Sequence, residues 1–141
     1  MKHVSILIPK GHTSLVNIEG THQILSEVNN LRVERGNTPL FNIKLVGLSS
    51  ETSQPSGLFT VNPQVLVQDV KKTDLIIIPA VHGDQQKAAE LNKEFIPWIV
   101  QQYQGGAELV SFCIGTFFLG ATGLLEGKQC TTHWRFVNEF R

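Results

Sequence analysis

The chain has 141 residues, which fits a single domain of the usual size, roughly 100–200 residues, and is long enough to bury a core without disulfide or metal staples. Twelve Lys and Arg balance twelve Asp and Glu, and 41% of the residues are hydrophobic. This is an ordinary globular composition, with no basic footprint for nucleic acid or an anionic membrane and no apolar run long enough to span a bilayer.

Residues 1–8 end at Pro9-Lys10-Gly11 with no cleavage site after them, so they read as a first strand and not as a signal peptide. The expected location is the cytoplasm. Within that stretch Val4-Ser5-Ile6-Leu7-Ile8 is the β-rich run. Ile18, Thr21, Leu25, Val28 and Leu31 then recur at three- and four-residue steps, which predicts a helix. Ser14 or Asn17 serves as its cap, and Glu34-Arg35-Gly36-Asn37 marks its end. Residues 41–46 alternate apolar and polar side chains and predict a strand. Residues 49–57 have loop composition, and residues 58–61 and 65–67 read as a small hairpin or edge strands.

Asp74-Leu75-Ile76-Ile77-Ile78-Pro79 is the clearest buried strand, because its centre is continuously apolar. Residues 80–84 form the loop at its carboxyl end. Helical patterns cover 85–91 and 93–104, stopped by Gly105-Gly106. Residues 108–112 form the next strand. Cys113-Ile114-Gly115 follows at once, then an apolar helix through Gly120. Residues 124–128 are a helix end and turn, 129–132 a short strand, and 134–141 the start of another helix. Strands alternating with helices predict an α/β fold, a three-layer sandwich with a mostly parallel, Rossmann/flavodoxin-like sheet. Residues 1–141 read as one domain without repeats. The sequence stops inside a helical pattern, so the domain is expected to be truncated at its C-terminus.

Ser111-Phe112-Cys113-Ile114-Gly115 is the strongest chemical signal. A nucleophile elbow needs a sharp strand-to-helix turn, with the nucleophile at its apex and a small residue two places on. The sulfur then sits at a helix start, where the dipole favours the thiolate. The N–H of Ile114 would form half of an oxyanion hole. A buried structural cysteine is the alternative. A thiolate needs a base or cationic partner, and histidine is the usual one. His133 lies 20 residues after Cys113, at the end of the predicted strand 129–132, where parallel strand ends converge. A surface or capping histidine is the alternative there. His12, His22 and His82 also lie near strand ends or helix starts, and of these only His82 is placed to line the same crevice. The two cysteines, Cys113 and Cys130, make no disulfide framework. No Cys/His spacing matches a zinc site, so neither metal nor cofactor is expected. Phe117, Phe118, Leu119 and Trp134 read as core.

Three segments resemble the ThiJ/PfpI superfamily of the class I glutamine amidotransferase-like fold. They are Ile76-Ile77-Ile78-Pro79, the run from Glu108 through Gly115, and Gly123-Leu124-Leu125-Glu126-Gly127-Lys128-Gln129-Cys130-Thr131-Thr132-His133-Trp134. The last is similar to the subgroup that forms the N-terminal domain of AraC-family transcriptional regulators. The resemblance implies roles for Cys113 as the elbow cysteine, His133 as its nearby histidine and Ile114 as the oxyanion donor. It also implies an acid at the start of the first helix. Asn17 stands there, and Thr21 replaces the usual proline. The family's Pro-Gly-Gly loop reads Pro79-Ala80-Val81-His82-Gly83, with Val81 narrowing the approach. An Asn exchanges no proton with a thiol or substrate.

The expected function is therefore a ligand-sensing regulatory domain of an AraC-type regulator, leaning away from catalysis. Asn17, Ala80, Val81, His82, Cys113 and Ile114 would bind an unknown small molecule. DNA contact would belong to a domain beyond Arg141, and the protein is expected to be a homodimer. Two alternatives stand beside it. One is a cysteine-dependent amidase, peptidase or hydratase using Cys113, His133 and Ile114. The other is a redox sensor oxidised at Cys113.

Overall fold

The structure is a computed structural model that describes residues 1–55 and 57–140. Ser56, in the predicted loop 49–57, and Arg141, at the end of the last helical pattern, lie outside the described residues. In chain order the elements are β1 (Lys2–Ile8), β2 (His12–Thr13), α1 (Leu15–Glu34), β3 (Phe41–Gly47), β4 (Thr52–Ser53), β5 (Thr60–Val61), β6 (Val65–Leu66) and β7 (Leu75–Ile78). They continue with β8 (Val81–His82), α2 (Gln85–Leu91), α3 (Phe95–Gln104), β9 (Glu108–Ser111), α4 (Gly115–Gly120) and α5 (Val137–Phe140).

Five strands form the main sheet in the order β6-β3-β1-β7-β9, every neighbouring pair parallel. The alternation of side chains along β1 and β7 explains the layers. Val4, Ile6 and Ile8 of β1 and Ile77 of β7 pack with Ile18 of α1 on one face. Leu7, Ile76 and Ile78 pack with Phe95, Trp98 and Ile99 of α3 and Phe118 and Leu119 of α4 on the other. Each such buried side chain contributes about 1.5–3 kcal/mol relative to exposure. The apolar face also carries one polar group at its edge, and it is satisfied. Buried Ser5 donates from Oγ to Thr73 Oγ1 (3.0 Å), and Thr73 N–H donates to Gln102 Oε1 (3.0 Å).

The predicted strands 4–8, 41–46, 74–79 and 108–112 form the four long members of the sheet, and the helices over 85–91 and 93–104 form as α2 and α3. The helix predicted from the spacing of residues 18–31 forms as α1, and its stripe reaches the core at Ile18, which is buried, but not at Leu31, which is exposed. A helix of 20 residues is about 30 Å long, whereas the seven residues of β1 extend about 23 Å, so the helix outruns the sheet. Two expectations need correction. Of the two readings of residues 58–61 and 65–67, the hairpin fails, since they do not pair with each other, while strands do form at Thr60–Val61 and Val65–Leu66. β5 pairs antiparallel with β4, inside the predicted loop, and β6 joins the sheet as an edge strand beside β3. Residues 129–132 form no strand. They are mostly exposed and offer no apolar side chain to hold them on the sheet. Among the described residues no helix is long and apolar enough to cross a membrane.

The chain adds β3 on one side of β1 and then returns to add β7 and β9 on the other. The loops leaving β1 and β7 therefore part at their carboxyl ends, the usual place for a ligand crevice in such sheets. Both loops are pinned: β2 pairs antiparallel with β8, and Ser14 N–H donates to Ala80 O (2.8 Å).

Candidate functional site

Phe112 N–H donates to Ile78 O (3.0 Å) and so extends the β9–β7 ladder one residue past the strand. The chain then reverses. Cys113 has a φ of 54°, and it is the one non-glycine residue with positive φ among the described residues. For an L-residue that conformation costs about 1–2 kcal/mol. Gly115 N–H closes the turn onto Phe112 O (2.7 Å). A Cβ on Gly115 would lie 2.9 Å from Pro79 O and 3.0 Å from Ile78 O, so the turn passes against the β7 backbone at a distance only glycine allows. Cys113 is exposed, as is Cys130, and both thiols are free.

Ile114 is buried and opens α4, and its N–H donates to no acceptor among the described residues. It stands where an oxyanion donor would stand, one residue past the thiol. α4 itself has only six residues, so its dipole is that of a short helix. The carbonyl of Cys113 accepts from Thr116 Oγ1 (3.0 Å) and Thr132 Oγ1 (3.3 Å). Thr116 Oγ1 also reaches Thr131 O (3.1 Å) and lies 3.2 Å from Ser111 Oγ. These threonines, absent from the sequence-based site, hold the turn and bring residues 131–133 to it. The signal available for them was a hydroxyl in the first turn of α4 and a Thr pair directly before His133.

His133 does not meet Cys113 by a hydrogen bond. It caps the short 3-10 turn Trp134–Phe136, accepting the Arg135 N–H at Nδ1 (3.2 Å). That bond puts the proton of a neutral ring on Nε2. The ring lies against Trp134 and Phe136, at centroid distances of 5.4 and 5.8 Å. Trp134, read as core, is 81% exposed, and among the described residues the aromatic ring packed against it is that of His133. Phe118 and Leu119 are core as expected, and Phe117 packs edge-on against Phe136 and Phe140.

Asn17 lies in the first turn of α1 and accepts the Ala80 N–H at Oδ1 (3.1 Å). Ala80 and Val81 are buried. The Ala80 N–H is thus spent inside the protein and is not offered to a ligand, and Val81 faces Gly11 across the β2–β8 ribbon. His82 is exposed and turns to His12, its cross-strand partner, with ring centroids 5.4 Å apart. Asn17 and the Cys113 turn grip the same stretch of backbone, residues 78–80, from two sides. Among the described residues, no three of His, Cys, Asp or Glu gather as a metal site would require.

A parallel sheet with helices on both faces and a positive-φ cysteine after an outer strand define a class of α/β domain, and the sequence comparisons identify it. The DJ-1/PfpI family model matches residues 22–140, and the chain belongs to that family. It is 26% identical over 121 residues to an isonitrile hydratase of Pseudomonas putida, covering 86% of this chain and 48% of that protein. It is 25% identical over 118 residues to the HTH-type transcriptional regulator CdhR of Pseudomonas aeruginosa, covering 83% of this chain and 34% of the regulator. The chain thus spans half or less of the length of both relatives. The crystal structure of an AraC family transcriptional regulator from Pseudomonas putida has the same fold, with a TM-score of 0.78 at 18% identity, over 99% of this chain and 71% of that one.

Proposed function

We propose that this domain is the ligand-sensing module of a transcriptional regulator, with a crevice at Cys113 that binds a small molecule and releases it unchanged. The Asn17–Ala80 hydrogen bond carries the reading. Where a proton-exchanging acid would serve a reactive thiol, this chain has an amide whose oxygen is already committed to the backbone. His133 supports it, because its Nδ1 is committed to the Arg135 N–H. The likeness to CdhR and to the AraC family structure favours a regulatory role. In this reading the Cys113 turn is a nucleophile elbow kept for recognition, and the free Ile114 N–H takes a carbonyl or carboxylate oxygen of the ligand. DNA contact belongs to another part of a longer protein, in keeping with the zero net charge of this chain. The module acts in the cytoplasm as a homodimer.

The test is turnover. The protein and its Cys113→Ala variant are incubated with a panel of primary amides and aliphatic isonitriles, and product is followed by mass spectrometry. The expected result is no product above the variant's level. Product formed only when Cys113 is present would sink the sensing reading. It would support the second reading, a cysteine-dependent hydratase with His133 as partner, which the identity to isonitrile hydratase favours.

A further inference from the structure

Both cysteines of the chain, Cys113 and Cys130, are exposed with free thiols. Cysteine is among the most buried residue types, so a pair of exposed thiols on one part of the surface calls for a reason. Threonines join the two. The Thr116 hydroxyl lies 3.0 Å from the Cys113 carbonyl oxygen and 3.1 Å from that of Thr131, the residue after Cys130. The Thr132 hydroxyl reaches the same Cys113 carbonyl at 3.3 Å. The segment that carries Cys130 is thus tethered to the turn that carries Cys113.

The tether begins only at Thr131. Among the described residues Gln129 and Cys130 make no backbone hydrogen bond, and residues 129–132 form neither helix nor strand. Cys130 therefore sits on a short unbonded stretch. On one side of it Lys128 N–H donates to Leu125 O (3.0 Å), and on the other stands the Thr131 anchor. Cys113 is held differently. Phe112 N–H donates to Ile78 O (3.0 Å) before it, Gly115 N–H donates to Phe112 O (2.7 Å) across it, and its positive φ fixes the reversal. One thiol stands on a pinned turn, and the other on a stretch with no backbone bond to hold it in place.

We infer that Cys113 and Cys130 are a reversible redox pair, which a small-molecule disulfide converts into an internal disulfide bond. The Cys113 thiolate attacks one sulfur of the reagent, forms a mixed disulfide and expels one thiolate. Residues 129 and 130 then swing about Thr131 and bring the Cys130 Cα to the distance a disulfide needs, about 4.4–6.8 Å. The Cys130 thiolate attacks the Cys113 sulfur and expels the second thiolate. Two protein thiols are oxidised, the reagent is reduced to two thiols, and the protons from the cysteines pass to the departing thiolates. In a reducing compartment such a bond forms and opens with the redox poise and is no permanent staple. It consumes the Cys113 thiol, so it switches off recognition and turnover alike and rests on neither reading of the site.

The experiment treats the full chain with glutathione disulfide at mildly alkaline pH and follows the intact mass and the tryptic peptides with time. The expected product has lost two hydrogens, with the peptide of residues 94–128 joined to that of residues 129–135, and dithiothreitol restores the starting mass. Cys130→Ser should instead hold one glutathione on Cys113 and go no further. Closure of the mixed disulfide should run about tenfold or more faster in the folded chain than in concentrated urea, because the tether raises the local concentration of Cys130. A chain that does not react, a stable glutathione adduct on the unsubstituted chain, a disulfide found only between chains, or closure no faster than in urea would each overturn the pair.

Discussion

The carboxyl ends of β7 and β9 lie side by side in the sheet and are built in opposite ways. After β7, Pro79, Ala80 and Val81 are buried, and Ala80 commits its N–H to Asn17 and its carbonyl to Ser14. After β9, Cys113 is exposed in a positive-φ conformation, and the Ile114 N–H meets no acceptor among the described residues. Position in the sheet accounts for the contrast. β7 has β1 on one side and β9 on the other, so its exit is covered by the start of α1 and by the β2–β8 ribbon. Among the described residues β9 is the outermost strand, and its exit is held by the Phe112–Ile78 hydrogen bond, by the residues 131–133 segment and by the close approach of Gly115 to β7. A strand end enclosed on both sides pairs its own backbone groups, as burial demands. A strand end at the margin can leave them for something else.

The sharpest way to break this contrast is at the contact that joins the two ends. Gly115→Ala would drive a Cβ to 2.9 Å from Pro79 O. The expected loss is about 2–3 kcal/mol in urea unfolding, the upper part of the range for overpacking. A loss below about 0.5 kcal/mol, as for an ordinary surface change, would show that the turn yields and that β7 does not set the geometry of Cys113. Next comes the enclosed end. Asn17→Ala strips the Ala80 N–H of its acceptor, at an expected cost of about 1–2 kcal/mol. Asn17→Asp keeps an acceptor and should restore most of that stability in the same assay near neutral pH. If Asn17→Ala proves neutral, the β7 exit is not held by this bond. The smallest effect is expected at the exposed end. Cys113→Gly relieves the positive φ and should stabilise the protein by about 0.5–1 kcal/mol, once glycine's extra chain entropy is set against the relief. A destabilised Cys113→Gly would mean that the thiol packs usefully and that the turn is not strained.

Much of the fold was legible before any coordinates, because the signals are local. The apolar run Leu75-Ile76-Ile77-Ile78 reads as a strand covered on both faces, and it is the strand between β1 and β9. Gly115 two places after Cys113 marks a tight strand-to-helix turn, and the chain turns there with a positive φ at Cys113. The two-residue strands β2, β4 and β8 were not legible, since two residues carry no period, whereas β5 falls inside the edge strand read at residues 58–61. Residues 129–132 misled in the other direction. Their β propensity had no apolar side chain behind it, and propensity without burial does not hold a strand. His133 was legible as a candidate partner for Cys113, but its role as a cap depends on the turn of residues 134–136 that follows it.

The sequence by itself determined the alternation of strands and helices, the chain reversal at Cys113 and the family, because periodicity, glycine spacing and motif order are properties of neighbouring residues. Tertiary structure alone decided which polar atoms are spent and which remain free. Asn17 meets Ala80 across 63 residues, and Gln54 comes to line a cavity with His12 and His82. Such pairings arise only when distant segments are folded together, and each one settles whether a side chain that looks reactive in the sequence is still available in the protein.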